Sequence, residues 1–581
     1  MLTILSHVKF RAKHVVLMII FVLISSVAQM IMPAMISEMI NDGISNDKKS
    51  LIIILAIVMI VLALLAGVMS LIGIALAAKI TSTFSADLRR VVFHRVQSFS
   101  AAEIDKFGTS SLITRSTTDV TTIQSFLSTL LKMGVLAPLM LVTGLVMASV
   151  TGGKAGPVLV VAIPVMIIVV AALVIGASRY SVRLRTKIDD INKLFLETLE
   201  GVRVIRAFNK QDTEMRRFRE TNEESAGMLK NSVSVSGMMF PVVTLVFGIT
   251  SVAVMGVGAF HIIGDEMDVG TLVSTTQYIA MILMSIIMLS MVVSSFPDAY
   301  ASMQRIGEVL NTECSIVDSD KEEPALTCHG TIEFRNVTFA YPGASDPVVK
   351  GLSFVSGPGE TTAIIGRTGC GKSSIVKLIP RLYDTLFGEV KVDGVNVKDL
   401  KLNHLRELIG YVPQKNVLFS GDISTNLNFG VPEGREEDWR EACRIACASE
   451  FVDKKQGTYH AEIAQGGTNL SGGQRQRMAI ARAVMKKPEI YVFDDSFSAL
   501  DMKTDRQLRE NLHEAMGDAT MIIVAQRVST IMDATRIIVL EEGEPVGIGT
   551  HKELLKSCQL YREIAEIQLG KEVVADEIKG N

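Results

Sequence analysis

Two adjacent carboxylates interrupt the apolar run IYVFDDSFSALD (490–501). A buried strand that stops abruptly at acid can hold a divalent metal at a sheet edge, and Asp494 is placed to do so. Asp495, next in the chain, would then act on a water if its carboxyl reaches one. The phosphate partner for such chemistry lies upstream in TTAIIGRTGCGKSSIVKLI (361–379), an apolar strand, a glycine-rich turn and a helix in succession. Gly366, Gly371, Lys372 and Ser373 fit the spacing G-x-x-x-x-G-K-[ST]. Glycines let backbone N–H groups curl around phosphates, and the start of a helix adds positive dipole. Lys372 reaches the β- and γ-phosphates, and the Ser373 hydroxyl binds Mg²⁺. The strand before and the helix after separate this turn from a chance match. Gly366, Arg367, Thr368, Gly369, Cys370, Gly371, Lys372, Ser373 and Ser374 are therefore assigned to ATP with Mg²⁺, Cys370 being read as a small residue that fills the turn.

The elements that must carry these residues occupy less than half of the 581 residues. The chain is 48% hydrophobic, and most of that lies in six stretches at 15–37, 51–78, 133–153, 156–177, 235–261 and 270–296. Each is near or above the ~20 residues a helix needs to cross a bilayer, and none contains Asp, Glu, Lys or Arg. The first is too long for a signal peptide and five more follow. Cations cluster between them: Lys9, Arg11 and Lys13 at the start, seven Lys and Arg from Lys79 to Lys132, and a richer set from Arg179 to Lys230. The opposite loops are short, and GDEMD (264–268) is acidic. This bias puts both termini and the long loops on the cytoplasmic side of a cell membrane. The long loops read as helical extensions, with apolar residues three and four apart in NKLFLETLEGVRVIRAF (192–208).

A net charge of −3 says nothing about nucleic acid, but no basic cluster with interleaved aromatics is present, and no nucleic-acid partner is expected. The cysteines at 314, 328, 370, 443, 447 and 558 all fall on the expected cytoplasmic side, where disulfides are rare, and none has zinc-site spacing. The expected organisation is a membrane domain over 1–310, a polar linker over 311–330, an α/β domain over 331–570 and a polar tail over 571–581.

Further motifs narrow the class. YVPQ ends at Gln414, LSGGQ occupies 470–474, the DD strand follows, and SALD closes at Asp501. In this order they resemble the nucleotide-binding domain of an ABC transporter, with Walker A at 366–373 and Walker B at 490–494. The first half resembles the six-helix domain of ABC exporters through LITRSTTDV (112–120), ETLEGVRVIRAF (197–208) and ASMQRI (301–306). The implied fold is an all-α six-helix transmembrane domain followed by an α/β P-loop ABC ATPase domain. The resemblance implies that Tyr341 stacks on adenine, that Gln414 ligates Mg²⁺ and senses the γ-phosphate, and that Asp494 holds Mg²⁺ through water. It implies that Ser471, Gly472, Gly473 and Gln474 meet the ATP of a second subunit, because such sites form between two domains packed head to tail, and that Asp501 crosses that interface.

Three positions depart from the family pattern. Active members carry Glu where this chain has Asp495, one methylene shorter. A His that clamps the γ-phosphate is replaced by Gln526 in VAQR, an amide that cannot become a cation. Gln465 stands where exporters usually have an acid, in a segment resembling the one that meets loops from the membrane. The first two together imply a site that binds ATP and hydrolyses it slowly, resembling the degenerate-site subunit of heterodimeric bacterial multidrug-type exporters. The partner would be a second exporter half with intact Glu and His. Alternatives are a slow homodimer and an ATP-gated channel or regulatory subunit. Spans without charge argue against a proton relay, which leaves an amphipathic or apolar substrate: a drug, a lipid or a hydrophobic peptide.

Overall fold

The computed structural model describes residues 12–151, 156–319 and 329–579. Lys9, Arg11, the end of the third apolar stretch, residues 320–328 of the expected linker with Cys328, and the last two residues lie outside the described residues. The chain divides into two compact units, one of residues 1–97 and 109–312 and one of residues 98–108 and 313–581.

The first unit is helical: α1 (Ala12–Glu38), α2 (Lys49–Gln97), α3 (Thr118–Thr151), α4 (Gly156–Glu200), α5 (Gln211–Gly237), α6 (Met239–Ile263) and α7 (Val269–Asn311). Five described helical stretches are long and apolar enough to cross a membrane: Ala12–Ile44, Lys49–Gln97, Thr109–Val150, Gln211–Ile263 and Val269–Asn311. The fourth expected stretch lies in α4, where the described apolar run is the shorter Val161–Ala177. Helices satisfy every backbone group internally, which a bilayer demands. Their outward faces are correspondingly apolar, with Leu71 69%, Phe260 79% and Ile263 82% exposed. The expected extensions are present, since α2 continues to Gln97 and α4 to Glu200, beyond which Val202–Ala207 forms a separate short helix.

Polar bonds sparsely pin the apolar packing. Tyr278 of α7 is fully buried and donates to the Met30 carbonyl at 3.1 Å, and Ser25 donates to the Ala66 carbonyl at 2.9 Å. The buried side of α7 carries Tyr278, Ile279, Ile282, Ser285 and Ile286, whereas Met284 and Met291 of its methionine-rich run are exposed. Two motifs noted in the sequence meet at one charge. Asp119 is buried and accepts from Ser302 Oγ at 2.9 Å, from Arg305 Nε at 2.8 Å, and from a second Arg305 nitrogen.

The second unit begins before the membrane-type helices end. The short helix Ala101–Phe107 belongs to it: Ala101 and Ala102 pack on this unit's core, and Tyr383 donates to Asp105 at 2.8 Å. Glu103 caps this helix through Ser100 and also accepts from the Ser315 N–H at 3.1 Å. A six-stranded sheet forms the centre. Its strands lie in the order 549–544, 541–536, 361–366, 520–524, 490–494 and 409–412, the first antiparallel and the rest parallel. We label the four that reach the site β1 (Thr361–Gly366), β2 (Ile409–Val412), β3 (Ile490–Asp494) and β4 (Thr520–Val524). All five residues of β3 and of β4 are buried, as strands covered on both faces require. A separate four-stranded antiparallel sheet carries Ile332–Phe339 and its partners.

Within the polar tail expected over 571–581, residues Lys571–Lys579 form a helix. Val574 is buried, and Glu577 meets His551 Nε2 at 2.9 Å while His551 Nδ1 meets the Tyr561 hydroxyl at 2.7 Å. One apolar side chain and one charged contact order a segment whose average composition is polar.

Arg305→Ala leaves the Asp119 carboxylate buried with only hydroxyl help. The expected cost is about 2–3 kcal/mol, below the figure for a fully enclosed pair because Arg305 is 45% exposed. Thermal unfolding of the detergent-purified chain checks it, with Asp119→Asn/Arg305→Ala expected to recover part of the loss.

Candidate active site at the strand ends

Parallel pairing places the ends of β1, β4, β3 and β2 side by side. Ile364 pairs with Val524 and Val524 with Asp494, so the turn after β1, the segment after β4 and the acid at the end of β3 are ranked along one edge. Gln414 follows β2, the next strand over. Crevices outside the carboxyl ends of such sheets are where ligands bind.

The turn after β1 is shaped by close approach. A Cβ on Gly366 would sit 2.2 Å from the Leu540 carbonyl oxygen, and Gly371, at φ +99°, would bring one 2.6 Å from the Val348 oxygen. Gly369 also has positive φ. Helix α8 (Lys372–Leu378) starts directly after. Lys372 is buried and turns its ammonium back onto the turn, donating to the carbonyls of Gly366 at 2.8 Å and Arg367 at 2.9 Å, with Cys370 Sγ at 3.8 Å. Thr368 and Gly369 form the crest between Arg367 and Cys370, and the Cys370 N–H donates to the Arg367 carbonyl at 3.3 Å. This is a cradle of backbone with a captive cation, the fit a polyphosphate requires.

Ser373 donates to Asp494 Oδ1 at 2.6 Å, bringing together the hydroxyl and carboxylate expected to share a metal. Burial raises the Asp494 carboxyl above its ordinary value, and Asp495 pushes the same way against the Ser373 hydroxyl and the Lys377 ammonium. A divalent cation would relieve that cost, and hydroxyl, amide and carboxylate oxygens are its preferred donors. Tyr411, missed in the sequence, stands beside Asp494, which together with burial pushes its phenol up.

Asp495 is buried in a left-handed turn, φ +51°, and its N–H donates to the Val524 carbonyl at 3.1 Å. Both neighbouring glutamines point their amides at one carboxylate oxygen: Gln526 Nε2 lies 2.8 Å and Gln414 Nε2 3.3 Å from Asp495 Oδ2. A cavity of about 330 Å³ opens beside them, lined by Asp495, Ser498, Gln526 and Arg527 among others. A second unforeseen residue, the buried Gln476, donates to the Asp495 carbonyl at 3.3 Å and accepts from the Ala499 N–H at 3.2 Å. Its signal was only its place on the buried side of the helix that LSGGQ opens.

Tyr341 reaches the turn, its hydroxyl 3.0 Å from Ser374 Oγ, with its ring edge-on to Tyr383 and Phe339 and the Lys377 ammonium 5.8 Å from its centroid. The LSGGQ residues lie elsewhere. Ser471 caps α9 (Gly472–Met485), accepting from the Gln474 N–H at 3.3 Å while Gln474 Oε1 accepts from the Ser471 N–H at 3.0 Å. Among the described residues, the side-chain bonds of Ser471 and Gln474 stay within the cap and do not reach the turn 366–374. Ser471 and Gly472 are solvent-facing, and Gly473 approaches the Ala499 carbonyl. Asp501 caps the following helix, Met502–Ala515, through the Thr504 N–H, a bond that holds its carboxyl below the ordinary value. Gln465 is exposed.

Gly371→Ala must abandon φ +99° or collide with the Val348 carbonyl. Backbone strain of ~1–3 kcal/mol translates to a loss of roughly tenfold or more in nucleotide affinity, which equilibrium binding of labelled ATP measures.

Residues 15–286 match the ABC transporter transmembrane region and residues 349–498 the ABC transporter ATP-binding domain. The chain is 36% identical over 566 residues to an uncharacterised ABC transporter ATP-binding protein of Mycobacterium tuberculosis, covering 97% of each. It is 34% identical to the uncharacterised ABC transporter ATP-binding protein YfiB of Bacillus subtilis, covering 95% of this chain and 96% of that one. It is 30% identical to an ATP-dependent lipid A-core flippase of Syntrophus aciditrophicus, covering 99% and 94%. In fold it is similar to a bacterial Atm1-family ABC exporter with ATP bound, with a TM-score of 0.77 at 23% identity over 95% of this chain and 97% of that one. A helical membrane unit fused to an α/β unit with a glycine-rich turn at its strand ends, matched over its length at this identity, makes the chain a member of the ABC transporters, an exporter-type half with both domains in one polypeptide.

Proposed function

We propose that the chain is one subunit of a heterodimeric ATP-driven exporter in the cell membrane, with its ATP-binding unit and both termini in the cytoplasm. Its own site binds Mg·ATP and turns it over slowly, and its signature completes the working site of the partner. The observation that carries this is the 2.8 Å bond from Gln526 to Asp495. A carboxylate that activates water needs a free lone pair aimed at the nucleophile. Here the carboxyl is a methylene short, and one of its oxygens already accepts from two amides. Hydrolysis on this fold is almost entirely positioning, and misplacement by ~1 Å can cost ~10²-fold.

Ser373, Gln414 and Asp494 would hold Mg²⁺, which would supply positive charge against the phosphates. Lys372 exchanges the carbonyls of its own turn for the β- and γ-phosphates, and Tyr341 lends a ring face to adenine. The signature has kept its reciprocal cap, so its outward groups remain oriented. Ser471, Gly472, Gly473 and Gln474 then serve ATP on a partner that supplies its own Glu and His. ATP-driven pairing of the two ATP-binding units rocks the membrane halves. The relative named as a lipid A-core flippase and the charge-free spans both support an amphipathic or hydrophobic substrate.

Purified alone in detergent, the chain is expected to bind ATP while releasing phosphate at well below one turnover per second. Several turnovers per second without a partner would mean that Asp495 is an adequate base and that a homodimer suffices.

In the heterodimer, Ser471→Arg should cut steady-state ATPase by ~10²–10³, because preorganised donors at the γ-phosphate of the working site are lost. Asp495→Asn should change it less than twofold on the same reading, ATP binding being measured alongside. Equal losses would point to two equivalent sites.

A further inference from the structure

The segment that carries Gln526 has run out of sheet. The last ladder bond on this side is from the Ala525 N–H to the Ile364 carbonyl at 3.2 Å, and the chain then turns into the short helix Val528–Ile531. Beyond that point one side chain takes both backbone groups. Gln568 Oε1 accepts from the Val528 N–H at 2.7 Å, and Gln568 Nε2 donates to the Gln526 carbonyl at 2.8 Å. The planar amide does what a neighbouring strand would do, gripping the chain on either side of Arg527. Only Asn and Gln present a donor and an acceptor in that arrangement, and Asn is one methylene shorter.

The grip has a firm base. Gln568 lies on the helix Gln559–Leu569, where Leu560, Tyr561 and Ala565 are buried, and the His551, Tyr561 and Glu577 contacts lock that helix to its neighbours. From the other side, Arg527 donates to the Ser498 carbonyl at 3.1 Å and the Leu500 carbonyl at 3.2 Å, tying the segment to the loop that follows Asp495. Held between these two anchors, Gln526 directs its Nε2 to Asp495. Gln568 lies 70 residues past the end of the region matched to the ATP-binding domain, which closes at residue 498.

We infer that Gln568 is a positioning residue for the nucleotide site: through the backbone of Gln526 and Val528 it sets where the Gln526 amide stands, and so how the site distinguishes ATP from ADP. This rests on the reading of Gln526 as the residue that faces the γ-phosphate. A bond that served only to fasten the last helices would affect stability and leave nucleotide preference alone.

The experiment is the ratio of Mg·ATP to Mg·ADP affinity of the purified full chain, by displacement of a ribose-labelled fluorescent nucleotide, with thermal unfolding recorded for each variant. Gln568→Ala removes both bonds and should lower the ratio about three- to tenfold with ADP affinity unchanged. Gln568→Glu keeps the acceptor for Val528 but opposes the Gln526 carbonyl, and should lower it in the same direction. Gln526→Ala should lower the ratio by itself, and Gln568→Ala added to it should then move the ratio less than twofold, because the effect passes through Gln526. An unchanged ratio in Gln568→Ala and Gln568→Glu, whatever happens to the melting temperature, overturns the inference alone. A full further drop in the Gln526→Ala background overturns it as well. A ratio indifferent to Gln526→Ala overturns both the inference and the reading of Gln526 beneath it.

Discussion

Parallel strands in one sheet end in rank, and the nucleotide site is a consequence of that rank. Because β1, β4, β3 and β2 are neighbours, four segments distant in sequence arrive at one edge without any of them having to be long. The cradle after β1, the amide after β4, the acids after β3 and the amide after β2 then need only short side chains to meet. Adjacent ladders fix the distances between these segments. Deep burial of β3 and β4 makes the edge stiff.

The two units are built on opposite solvent logic. In the ATP-binding unit apolar side chains point inward and alternate cores fill both sides of the sheet. In the helical unit, large aliphatic and aromatic side chains cover the outside, an arrangement that is stable only where the surroundings are hydrocarbon. Polar bonds that align the helices there include those of Tyr278 with the Met30 carbonyl, Ser25 with the Ala66 carbonyl, Asn41 with the Gly270 N–H, and Asp119 with Ser302 and Arg305.

Local regularities made much of this legible in advance. Charge-free runs announce helices in lipid, and the glycine spacing with Lys372 and Ser373 announces a phosphate cradle, because both signals are written in contiguous residues. The paired departures Asp495 and Gln526 could also be read, and their side chains do meet. Contacts between segments far apart in sequence were hidden. Nothing in residues 98–108 states that they pack with residues 313–581, since the reasons are a Tyr383–Asp105 bond, the contacts of Ser100 and Glu103 with Ser315, and two alanines on a distant core. The packing of the last helix was hidden because average polarity conceals one buried valine and one glutamate opposite His551. Gln476 and Gln568 escaped for a related cause: an amide that replaces a missing backbone partner has no local pattern.

The bond between Tyr383 and Asp105 joins residues 278 apart, with most of the membrane-type helices between them. This orders events at the ribosome. The helix Ala101–Phe107 is made early, and the aromatic ring and core that receive it are made late. At ~5–20 residues per second the interval is roughly 15–55 s, long against the microseconds in which a short helix forms and melts. Throughout that wait the helix has no surface to dock on, and it is too short to persist by itself. The ATP-binding unit is thus completed by a piece of chain that left the ribosome before any of its strands, and insertion of the membrane helices precedes its closure.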